Sequence, residues 1–278
     1  MDAQSSMHAV KDAFRSTARA AAVAVAAAGA LLLAGCANPS LLPVADSPWA
    51  AASLPPPDPS TPAAAGAWQH TTFIGKTPTR FVYERKDGRH AVVASAQTSA
   101  SMLRSAMRVE PEALGALRFS WKVPALIPAA DMALREADDA PVRIVLAFEG
   151  DRSRFSPRNA MLSELARTLT GEEMPYATLM YVWCNRREVG SVITNPRTDR
   201  IRKLVVESGP RRLGEWLDYE RDVRADFERA FGEAPGALVG IALMTDTDNT
   251  LSKASAWYGP VHLAPRPGAA APSPLSPR

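Results

Sequence analysis

Two short acidic clusters hold the residues of this chain best suited to chemistry. Asp138-Asp139-Ala140-Pro141-Val142-Arg143 leads into an apolar run, and Asp246-Thr247-Asp248-Asn249-Thr250 follows one. Closely spaced hard oxygen donors are what Ca²⁺ takes. Asp138, Asp139, Asp246, Asp248 and Asn249 are therefore the candidate metal ligands, with Ca²⁺ the candidate cation. The same aspartates are the candidate acid and base of a glycan hydrolase, which wants two carboxyls about 5–10 Å apart across a cleft. Asp and Asn at strand ends also make turn hydrogen bonds with no further role. The second cluster opens like an EF-hand loop. Its glycine position, however, holds Leu251 and its closing glutamate position holds Trp257, so it is not one.

Other chemistries find little support. Gly75-Lys76-Thr77 resembles the end of a phosphate-binding loop, but the first glycine of that motif would fall at His70. Neither a Gly-x-Ser-x-Gly elbow nor a His-Glu-x-x-His pair occurs, and His8, His70, His90 and His262 lack metal-ligand spacing. A formal net charge of +3, with acidic and basic residues interleaved, is no nucleic-acid footprint.

The elements that must position the acidic clusters read mostly as strands. Arg80-Phe81-Val82-Tyr83-Glu84 and His90-Ala91-Val92-Val93-Ala94 flank Asp87-Gly88, a hairpin signature. Leu117 to Val123 alternates strictly, which turns Leu117, Phe119, Trp121 and Val123 to a core. Residues 142–148, 178–184, 201–207, 238–244 and 255–263 complete the strand pattern. Two segments read as helices. One is Asn159 to Leu169. The other is Glu215 to Phe231, with a Tyr219, Val223, Phe227, Phe231 stripe and Gly232 as its cap. Many short strands with few helices predict a β-sandwich, with acidic clusters at strand ends where loops gather. Antiparallel neighbours would bring Asp138 and Asp139 to the same rim as Asp246 and Asp248, with Arg143, other basic residues or Ca²⁺ balancing their charge.

The ends of the chain read differently. Lys11, Arg15 and Arg19 precede an apolar run, Ala20 to Leu33, which closes on Leu33-Ala34-Gly35-Cys36. A basic start, an apolar stretch and a small-residue site make a secretory signal. The closing tetrapeptide resembles the lipobox of bacterial lipoproteins. That resemblance implies cleavage before Cys36, a diacylglycerol on its thiol, and, with Ala37 rather than Asp next, residence at the outer membrane. The expected layout is a signal over 1–35, a Pro/Ala-rich tether over 36–67, one domain over 68–264 and a disordered tail over 265–278. With Cys36 acylated, Cys184 has no partner and reads as a buried, inert thiol.

Motifs along the whole domain resemble the bacterial exported family known as domain of unknown function 3047. They are Phe73-Ile74-Gly75-Lys76-Thr77-Pro78-Thr79, Phe119-Ser120-Trp121-Lys122-Val123, Asp138-Asp139-Ala140-Pro141-Val142-Arg143, Leu179-Met180-Tyr181-Val182-Trp183, Asn195-Pro196, Glu207-Ser208-Gly209, Arg221-Asp222-Val223 and Met244 to Thr250. The resemblance implies a galactose-binding-like jelly roll and no particular reaction. The stretch Arg152–Met174 departs from it and reads as a lid or variable loop.

The expected fold is thus mainly β, a jelly-roll sandwich with one or two short helices at its side. Such folds bind on a sheet face or at the loop rim, where aromatic faces stack on sugars and charged groups grip hydroxyls. Arg118, Lys122, Arg143, Glu149, Tyr181, Trp183 and Asn185 are the candidate ligand-binding residues, although for Tyr181 and Trp183 the core is the better reading. The expected function is non-catalytic binding of an envelope saccharide by a lipid-anchored protein. The alternatives are a carboxylate-dependent glycan hydrolase, which needs a cleft, and a structural partner-binding lipoprotein, which needs an exposed apolar patch.

Overall fold

The computed structural model describes residues 43–53, 67–264 and 266. The signal, Cys36, most of the tether and nearly all of the tail lie outside the described residues.

The strands in chain order are β1 (Trp68–Thr72), β2 (Arg80–Lys86), β3 (Arg89–Gln97), β4 (Ser101–Val109), β5 (Ala116–Lys122), β6 (Ala140–Phe148), β7 (Ala177–Cys184), β8 (Val192–Thr194), β9 (Ile201–Ser208), β10 (Trp216–Asp222), β11 (Leu238–Asp246), β12 (Lys253–Tyr258) and β13 (His262–Leu263). They form two sheets. The seven-stranded sheet runs β1-β4-β11-β6-β7-β9-β8, and the six-stranded sheet runs β10-β5-β12-β3-β2 with β13 beside β5. Pairing is antiparallel except between β7 and β9. The fold class expected from the strand pattern, mainly β and two-layered with helices at the side, is the one observed.

Period-2 alternation builds the core between the sheets. Leu117, Phe119 and Trp121 of β5 meet Val142, Ile144, Leu146 and Phe148 of β6 there, and Trp121 is wholly buried as its alternation requires. β4 escapes a sequence reading because Ser101 and Ser105 occupy its inward positions although both are buried.

Among the described residues three α-helices flank the sandwich: α1 (Pro48–Ala52), α2 (Pro157–Thr170) and α3 (Val223–Phe231). Two expectations need correction. The helix expected over 215–231 is a strand followed by a helix. Leu217 and Tyr219 face the core from β10, and Asp222 caps α3 by accepting from the Ala225 N–H at 3.0 Å. The aromatic stripe misled because Tyr219 and Val223 turn inward on both readings. The tether is also partly folded: Val44 to Ala52 forms a helical turn and α1, and the Trp49 indole is fully buried against Trp68 with ring centroids 4.8 Å apart. Ser53 Oγ accepts the Val261 N–H at 3.1 Å and pins the segment.

Candidate functional site

The acidic clusters meet at one rim, as the strand-end argument expects. Asp139, Asp246 and Asp248 each place a carboxylate oxygen within 4.8 Å of the others. Asp138 joins through shared cations. Arg143 sits on the face of β6 away from the main core, yet it is buried. Its Nε donates to Asp246 Oδ1 at 2.9 Å and its Nη2 to Asp138 Oδ1 at 3.1 Å. Lys203 on β9 is fully buried on the same face and donates to Asp138 Oδ1 at 2.6 Å and to the Met132 carbonyl at 2.7 Å. Lys76 pairs with Asp248.

Burial and pairing compete in this network. Burial pushes Asp246 up to about 6 despite Arg143. For Asp138 burial also pushes up, but Arg143 and Lys203 together outweigh it and hold the carboxyl below its usual value. Lys203 is pulled down to about 8, chiefly by burial and then by Arg143.

The donor set decides what this centre can do. Asp139 Oδ2 accepts from the Thr250 N–H at 2.7 Å and the Thr250 hydroxyl at 2.5 Å, and its Oδ1 from the Asn249 N–H at 3.2 Å. Both Asp246 oxygens are engaged by Arg143 and the Ala140 N–H. Asp138 Oδ2 accepts from Asn195 Nδ2 at 3.0 Å. A Ca²⁺ ion drawn to Asp139, Asp246 and Asp248, whose carboxylate oxygens lie close enough together to hold one, would share those oxygens with the protein's own donors. Asp138, Asp139 and Asp246 do not line a cleft, being no more than 5% exposed. Their chemistry is a buried ion-pair network that ties the 124–139 segment to the outer face of the seven-stranded sheet.

The ligand-binding candidates scatter. Tyr181 and Trp183 are core residues: the Tyr181 hydroxyl donates to Asp226 at 2.9 Å and the Trp183 indole to the Gly209 carbonyl at 3.0 Å. They face inward because β7 buries both of its faces, with Met180, Val182 and Cys184 packed on the other side. Asn185 holds the 124–139 segment through the Ile127 and Ala130 carbonyls at 2.8 and 3.0 Å. Arg143 belongs to the buried network. Glu149 lies exposed at the end of β6, paired with Arg108 at 2.7 Å. Cys184 is a buried free thiol, as expected.

Only Arg118 and Lys122 share an open face, the outer side of β5. Arg118 pairs there with Glu220 at 3.0 Å. Lys122 lies in a row the sequence did not reveal. Strand register sets Trp257 of β12 opposite Lys122 on one side and Trp216 of β10 opposite it on the other. Val93 and Val82 extend the row across β3 and β2. The two indoles are therefore two strand spacings apart, about 9–10 Å, with an ammonium between them. Gly259 lets β12 leave the sheet beside this row, since a Cβ there would fall 2.0 Å from Ser120 Oγ. Trp257 Nε1 donates to Glu84 at 2.6 Å, which fixes its ring.

The tip of the β2–β3 hairpin folds onto this row. Lys86 Nζ stands 4.4 Å from the Trp257 ring centre, the Arg89 guanidinium stands 5.2 Å from that of Trp216, and Asp87 accepts from Lys122 Nζ at 2.6 Å. Arg89 also pairs with Asp218 at 2.7 Å. Trp216 and Trp257 were missed for different reasons. Trp216 fell in the stretch misread as helix, and Trp257 is one outward residue in a strand whose neighbours only the sheet order supplies.

Solved structures with a similar course share little sequence with this chain. The xyloglucanase domain of NopAA, a type three effector from Sinorhizobium fredii, in complex with cellobiose, is 8% identical over 73% of this chain and 94% of its own, with a TM-score of 0.38. Endoglucanase 3 of Trichoderma harzianum, from family GH12, is 8% identical over 74% and 93%, with a TM-score of 0.39. SGBP-B from a xyloglucan utilization locus of Bacteroides uniformis is 10% identical over 72% and 47%, with a TM-score of 0.32. Likenesses this remote do not fix a reaction. No curated protein matches the chain. A family model does: it spans residues 66–262, so the chain belongs to the family described as protein of unknown function, DUF3047.

Proposed function

We propose that this protein is an outer-membrane lipoprotein, anchored through Cys36, whose sandwich binds an envelope glycan without turning it over. The observation that carries the binding reading is the register of Trp257, Lys122 and Trp216 on the outer face of the six-stranded sheet, beneath the β2–β3 hairpin tip. Indole faces are the usual platforms for pyranose rings, and two of them about 9–10 Å apart match alternate rings of an extended chain lying across the strands. Lys122, Asp218 and Glu84 supply the charged groups that grip hydroxyls beside such rings. The lipobox-like Leu33-Ala34-Gly35-Cys36 supports the anchor.

The hydrolase reading loses support because the acidic clusters are buried and engaged by protein donors. The partner-binding reading keeps one observation: Met161, Leu165 and Leu169 form an outward stripe on α2 at 64%, 52% and 56% exposure.

A glycan array probed with the mature chain tests the proposal. Envelope saccharides should be retained, and Trp216→Ala combined with Trp257→Ala should abolish retention while the fold persists by circular dichroism. Retention of no glycan, or unchanged retention by the double variant, would overturn it.

A further inference from the structure

The hairpin tip already occupies the tryptophan row. Its three polar side chains take one position each: the Lys86 ammonium over the Trp257 ring, the Asp87 carboxylate on Lys122, and the Arg89 guanidinium over the Trp216 ring. The tip is a two-residue Asp-Gly turn with positive φ at both residues, 51° at Asp87 and 81° at Gly88. Asp87, Gly88 and Arg89 are exposed, whereas the Lys122 side chain retains only 19% of its exposure between the two indoles. The row is rigid sheet, and the tip is a surface turn lying on it.

Asp87 is therefore a guide to the ligand. A glycan chain stacking on both indoles must move Lys86 and Arg89 off the ring faces, and where it crosses Lys122 it must replace the carboxylate held there. An uncharged chain would leave the Lys122 ammonium half-covered with no anion, which weakens binding. A chain with a carboxylate between its stacking rings restores a charge-assisted bond in the same place. The Trp216 indole N–H strengthens that point. It is buried without a hydrogen-bond partner of good geometry and adds a pull on the Asp87 carboxyl weaker than that of Lys122 or Lys86. Arg118 does not offer a rival anchor, being paired with Glu220 through both Nε and Nη2.

We infer that the site selects an acidic glycan, one carrying a carboxylate between alternate stacking rings, and that Asp87 is its built-in competitor for Lys122. This rests on the glycan-binding reading above.

The experiment measures affinity of the full chain for a matched pair of probes: an oligosaccharide alternating glucuronate with N-acetylglucosamine, and the same oligosaccharide with its carboxyls reduced to alcohols. The acidic form should bind about tenfold tighter or more, the scale of one charge-assisted hydrogen bond. Lys122→Gln should bind the two forms alike. Asp87→Asn, which suits the same turn, should bind the acidic form several-fold tighter than the wild-type chain does. Equal affinity of the wild-type chain for both forms would overturn the acidic preference and leave glycan binding standing. A weaker acidic complex in Asp87→Asn would overturn the competitor role. Failure of both forms to bind would remove the glycan reading and this inference together.

Discussion

Arg143 Nε and Asp246 Oδ1 lie 2.9 Å apart on neighbouring strands, and both residues are at most 4% exposed. A buried pair adds little net stability over an apolar substitute, but removing one partner strands the other. Arg143→Ala leaves Asp246 and Asp138 without their shared cation. Unfolding in urea should show a loss of about 3–5 kcal/mol. An unchanged midpoint and slope would mean the network is not formed in solution.

Lys203 gives that network a pH signature. Its folded value is about 8, against about 10.4 for an unperturbed lysine. Between those values the unfolded chain holds more protons, so stability rises with pH across that window. Below about 8 the ammonium is present in both states and its burial penalty is fully felt. Above about 10, burial of the Tyr258 and Tyr219 hydroxyls acts in the opposite sense. The melting temperature should therefore climb from about pH 8 toward 10, and the climb should vanish in Lys203→Met. A wild-type curve that falls throughout this window contradicts the assignment.

The rim carboxylates should be indifferent to calcium. Asp139, Asp246 and Asp248 already accept from Thr250, Arg143 and Lys76. Millimolar Ca²⁺ should leave the melting temperature where it was. A rise that grows as RT ln(1 + [L]/Kd) and disappears in Asp248→Ala would restore a cation site.

Anchoring has its own readout. Cys36→Ser removes the proposed acceptor thiol and keeps the proposed export signal. Metabolic labelling with a fatty-acid analogue should mark the wild-type protein and miss the variant, which should also be processed poorly. Normal labelling of the variant would end the lipoprotein reading.

What the sequence revealed follows from the range of the interactions involved. Alternation in Leu117–Val123 placed Trp121 correctly, because a strand with one buried face writes its burial into neighbouring positions. The meeting of Asp138 and Asp139 with Asp246 and Asp248 was legible too, since strand-end position is enough to predict a shared rim. The tryptophan row was not. Trp216, Lys122 and Trp257 belong to three strands, and only the register of β10, β5 and β12 makes them neighbours. Tyr181 and Trp183 lie in the core, the better of their two expected places, but β7 is buried on both faces, so its sequence carries no alternation from which to choose an outward side.

The burial of Trp49 sets a leash length. The helical turn beginning at Val44 is part of the folded body, so only Ala37 to Pro43 separate it from Cys36. Seven residues extend at most about 25 Å. If Cys36 is acylated as proposed, that reach would hold the domain close to its own bilayer rather than leave it free to cross a compartment.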